Sequence, residues 1–170
     1  METFFEKISN YQFLNNLLPG TIFVAVVSNF TSFTIENENL LVSLFIYYFV
    51  GIVISRFGSL VIEPILKRIK IVTYQPYSKY IFASSKDKKI NLLMEHNNLF
   101  RSIIAMLFLI GLAIFYDILQ SFCPFIERNG KIIVLLLLII LFLLSFRKQT
   151  KFIFYRIEYY TNESKKEDER

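Results

Sequence analysis

Residues 132–146 read IIVLLLLIILFLLSF, fifteen positions with no charge and a single hydroxyl. A helix that is apolar on every face must be surrounded by a large core or by lipid. A chain of 170 residues does not build a core deep enough to wrap one, so the run reads as a membrane span. At 1.5 Å per residue it is about 22 Å long, against about 30 Å of hydrocarbon. Lys131 and Arg147 flank it and can snorkel to cover the difference.

Three further apolar runs follow the same logic. The expected spans are residues 17–35, 40–62, 102–122 and 131–147. The first, LLPGTIFVAVVSNFTSFTI, is the most polar, with Ser28, Asn29, Thr31, Ser32 and Thr34, and should face protein or water more than lipid. Pro19 near its start suits a helix N-terminus. Only IENEN separates it from the second, which makes a tight antiparallel hairpin. Composition agrees: 54% of residues are hydrophobic and 17% aromatic, with a mean hydropathy of +0.46, too apolar for an ordinary soluble domain. The fold class expected is therefore all-α, an integral membrane four-helix bundle with short cytoplasmic helical extensions, in one domain.

Lysine and arginine set the orientation. Eight lie between Lys67 and Arg101 and seven follow Phe146, whereas IENEN has none. Both termini, the connection 67–101 and the tail 148–170 should then be cytoplasmic. Richness in Ile, Lys, Asn, Phe and Tyr points to an AT-rich bacterial genome and so to a bacterial inner membrane. The net charge of +5 reads as contact with anionic lipid, and no specific DNA binding is expected.

In the connection, Gln75-Pro76 breaks any helix. Ser84 or Ser85 is a candidate N-cap for a helix that should run unbroken into the third span. Asp87, Glu95, Asn98 and Arg101 then crowd the inner membrane surface as a polar ladder or as a ligand or partner contact. In the tail, Phe152, Tyr155, Ile157 and Tyr159 alternate with Lys151 and Arg156. Such a helix can pack on the connection, lie on the leaflet or hold a nucleotide by stacking and charge.

Chemistry-bearing motifs are absent: there is no HExxH, GxSxG, phosphate loop or CxxC. The single His96 and single Cys123 support neither a metal cluster nor a catalytic pair. The chain is read as no enzyme and as needing no cofactor. What remains are packing and charge features. Gly51, Ser55 and Ser59 repeat every four residues, with Gly58 beside them, a small-residue stripe that admits a close helix neighbour from the bundle or from another subunit. Asn29 and Asp117 are candidates for lining a pore or polar cavity. Arg56 and Glu63 mark the end of the second span. They share a face but are separated by about 10 Å of rise, so no direct ion pair is expected; Glu63 has Lys67 at i+4 instead. Pro64 follows and can kink the helix.

SRFGSLVIEP and SSKDKKINLLMEHNNLFRS resemble a group of small, uncharacterised bacterial membrane proteins with four predicted spans. The matching positions are Ser55, Arg56, Gly58, Ser59, Glu63 and Pro64, then Ala83, Lys86, Asp87, Lys89, Ile90, Glu95, Asn97, Asn98 and Arg101. The layout is also similar to the membrane-effector halves of bacterial anti-phage systems, in which a partner or nucleotide signal triggers membrane disruption. The resemblance carries no activity with it; the polar first span, the small-residue stripe, Asp117 and a head too small for catalysis but able to sense point to a small oligomeric, gated, channel-like or membrane-perturbing protein. The alternative from the residues alone is a non-conducting anchor or scaffold for a soluble partner. A transporter ranks last, because the two hairpins differ in polarity and loop length.

Overall fold

In the computed structural model, residues 2–33, 35 and 38–168 are described, with the side chains of all of these but residues 2–12, 14 and 163–168. Among them the chain is all-helical. Helix α1 is Glu2–Phe30 and α2 is Leu40–Phe57. The π-helical turn Gly58–Ile62 joins α2 directly to α3, Glu63–Arg68. Helix α4 is Tyr77–Lys86, α5 is Lys88–Phe122 and α6 is Pro124–Asp168. Three helices are long and apolar enough to cross a membrane: Leu40–Arg68, Lys88–Phe122 and Pro124–Asn162.

The ends of these helices have local causes. Asn39 caps α2 by accepting from Leu41 N at 3.0 Å. Asp87 caps α5 by accepting from Lys89 N at 2.9 Å. The cap is thus Asp87, whereas Ser84 and Ser85 sit in the last turn of α4 and donate to Ile81 O and Phe82 O. Helix α3 closes with Lys70 at φ 60°, its N–H donating to Lys67 O and that of Ile71 to Leu66 O. This is the Schellman pattern, with lysine where glycine is usual.

Two helices depart from the sequence expectation. Helix α1 begins well before residue 17 and ends at Phe30, with Pro19 inside it; Thr34 lies outside the described residues, as do Glu36, Asn37 and the tail end, residues 169–170. Its depth is set by α2. A Cβ on Gly20 would overlap the carbonyl of Tyr47, and one on Gly51 would overlap the backbone of Asn16, so the two backbones touch there. Asn16 thereby lies beside Gly51 of α2, and the half of α1 before it extends past that contact. Likewise, CPFIERNGK, which lies between the third and fourth apolar runs, is helical but for Cys123. Proline at the first helical position costs nothing, because that N–H has no partner in any helix, so α6 starts at once.

Ile54, Ile62, Ala105 and Met106 form the buried core, flanked by Phe23, Val50, Phe57 and Leu66. Helices α1, α2 and α5 thus make the packed unit, and α6 lies along α2, α5 and α4 with most of its apolar residues exposed.

Candidate functional site

A junction of charges

Proline 64 explains the widened turn before it. In a regular α-turn its ring would press on the carbonyl of Leu60, four residues back, and it has no N–H to give. The chain opens into a π-turn instead, and the N–H of Glu63 goes to Gly58 O. Ser59 O is then stranded: its α-helical partner is used elsewhere, and its π-helical partner is Pro64. An apolar surrounding makes an unpaired carbonyl costly. Lys148 from α6 removes that cost, donating to Ser59 O and Ser59 Oγ, both at 2.7 Å.

The same turn aims Glu63 inward. Its side chain is only 12% exposed and faces three cations: Lys67 at 2.6 Å, Arg101 at 2.8 Å and Lys148 at 3.6 Å. One carboxylate thus joins α3, α5 and α6. Gly58 lets α5 come close, since its Cβ would lie 3.2 Å from Ala105 Cβ and 3.3 Å from Arg101 O. Arg101 Nε is buried without a hydrogen-bond partner. Among the described residues the cluster holds three positive charges against one negative, the Glu63 carboxylate. Arg56 is exposed beside it, lining a shallow cleft with Ser59, Ser145, Lys148 and Phe152.

Beyond the junction, Tyr74 takes Lys67 over its ring and hydrogen-bonds Asn97 at 2.9 Å. Tyr80 donates to Asn91 at 3.1 Å. Burial and the neighbouring Tyr77 push the Tyr80 phenol above its ordinary range, so it remains a neutral donor. Tyr77 packs on Phe152 of α6, ring centroids 5.1 Å apart. The connection, α5 and α6 therefore form one aromatic and basic head.

The opposite end

Asp117 of α5 accepts from Ser32 N at 3.2 Å, from Ser32 Oγ and from Gln120 at 2.9 Å. Phe33 packs on Tyr116, centroids 5.7 Å apart. The sixteen residues from Arg101 to Asp117 amount to about 24 Å of rise. Two polar layers thus bracket an apolar slab close to the thickness of a bilayer core.

Placement of the expected residues

Gly51 is used up by α1, and Gly58 by α5; Ser59 binds Lys148. Three of the four small residues are therefore consumed within one chain, and Ser55 is half-buried. Asn29 donates to Ala25 O of its own helix, and Asp117 is engaged by Ser32 and Gln120 rather than facing Asn29. Asp87 is a helix cap. Glu95 and Asn98 are half-buried on α5, and Lys151 and Arg156 stack over Tyr155 and Tyr160. Of the residues singled out, Glu63, Arg101 and Ser59 converge.

Sequence reasoning missed Lys148, whose partner lies 89 residues away. A lysine two positions beyond an apolar run and a Pro-interrupted helix end were the available signals. It also missed Asn15, whose side-chain oxygen is buried without a partner. Among the described residues no three His, Cys, Asp or Glu side chains gather at a point.

No protein-family model matches the chain, and no curated protein or solved structure matches it either.

Proposed function

We propose that the protein is a four-span, homo-oligomeric protein of the bacterial inner membrane with both termini cytoplasmic. It acts as a gated, channel-like or membrane-perturbing effector, switched through its basic head by a cytoplasmic protein or a nucleotide signal. The observation that carries this reading is Glu63 holding Lys67, Arg101 and Lys148 at 2.6, 2.8 and 3.6 Å. Three helices that lead from the apolar slab toward the head, α3, α5 and α6, meet at this carboxylate. A partner that draws Arg101 or Lys148 away leaves unpaired charges at the edge of lipid, which is costly, so head and spans move together.

The test is dye release from liposomes holding purified protein, beside depolarisation in cells. Wild type and Glu63→Gln should differ at least threefold in leak rate. Absence of leakage and depolarisation in both would rule out the effector reading.

A second reading, a non-conducting anchor for a soluble partner, draws on the Asp117 end, where the carboxylate is tied to Ser32 and Gln120. A soluble protein retained at one-to-one stoichiometry, with no leak, would establish it.

A further inference from the structure

Helix α6 carries an apolar stripe that its own chain does not cover. Ile132, Leu136, Ile139, Leu143, Phe146, Thr150, Ile153, Ile157 and Tyr160 alternate spacings of four and three, the heptad repeat of a two-helix seam. Ile132, Leu143, Phe146, Ile153 and Ile157 are 59, 63, 74, 52 and 62% exposed, and all nine are exposed. The stripe lies about 150° round the helix from Ser145, Lys148 and Phe152, which face the rest of the chain. Up to Phe146, lipid can cover such a surface. Beyond Lys148 it cannot, and the stripe nevertheless continues for more than three turns. Over those turns the other flank bears Lys151 and Glu158, whereas the stripe bears no charge.

We propose that this face is the seam between two copies of the chain, paired in parallel along α6. The inference rests on the membrane reading above. Two copies inserted the same way hold their α6 helices parallel and at one depth, so a two-fold axis normal to the bilayer brings each stripe against itself. The area suffices: the exposed parts of the nine side chains amount to roughly 1,000 Å² per copy, against about 800 Å² per partner in a stable interface. The seam takes over the self-association role expected of the small-residue stripe on α2, which α1 and α5 occupy. It also places two Glu63 junctions on either side of one helix pair.

Disulfide trapping in native membranes tests it. In full-length Cys123→Ser, single cysteines at Ile153→Cys and Ile157→Cys should give at least fivefold more cross-linked dimer than Lys151→Cys and Glu158→Cys. In detergent, Ile153→Glu with Ile157→Glu should halve the mass of the particle. Equal linking at all four positions, or none at 153 and 157, overturns the seam while the chain still pellets after a carbonate wash. A chain that washes off the membrane overturns the membrane reading and the seam with it.

Discussion

The two polar layers are built on opposite principles. At the Asp117 end, one carboxylate is satisfied by neutral donors, Ser32 and Gln120, and it tethers the chain just past α1. At the Glu63 end, one carboxylate is outnumbered by three cations from three helices, and one of them also repairs a broken helix turn. Neutral hydrogen bonds at the first end hold whatever happens elsewhere. The second end is a balance of like charges kept together by a single opposite one, so it is the end that responds to removal of one group.

The difference is sharpest at Glu63. Glu63→Gln should destabilise the protein by about 3 kcal/mol, because partly buried cations lose their counter-ion; thermal unfolding in detergent measures it. A midpoint within 1 °C of wild type would make the two layers equivalent. Next comes Lys148→Met, which keeps the packing but strands Ser59 O, at a cost of about 2 kcal/mol. Hydrogen exchange should then rise at residues 58–64, and an unchanged exchange pattern there would deny Lys148 its role in the π-turn. At the other layer, Asp117→Asn retains an acceptor and should cost only about 1 kcal/mol, with faster proteolysis after Phe33 as its readout. A loss equal to that of Glu63→Gln would erase the contrast. Last is Lys70→Gly, which relieves a left-handed residue and should stabilise by up to about 1 kcal/mol, while leaving both layers unchanged by cross-linking.

Local chemistry was legible beforehand: the apolar runs, the break at Pro76, the i+4 pair of Glu63 and Lys67, and a helix continuing through Arg101. What misled was the assumption that a helix begins where its apolar run begins. Polar residues of α1 such as Asn15 and Asn16 are sheltered by a glycine contact with α2, and a contact between residues 16 and 51 leaves no mark in local hydropathy. Proline 19 was likewise read as a helix start when a helix packed this closely on a neighbour can carry it inside. Lys148 was hidden for a different reason. Its partner exists only because Pro64 disturbs hydrogen bonding in another helix, a two-step consequence that no spacing rule encodes. The small-residue stripe was real, but spacing alone did not say that its occupants are α1 at Gly51 and α5 at Gly58 rather than a second subunit.

Between α5 and α6 stands one non-helical residue, Cys123. A helix of 45 residues is about 67 Å long, so tilting α6 by about 5° at that residue would sweep its far end through about 6 Å. The joint is a fulcrum with one very long arm, and Lys148 grips that arm a little past its middle. A small push on the far tip would therefore reach Ser59 and Glu63 at reduced amplitude and greater force.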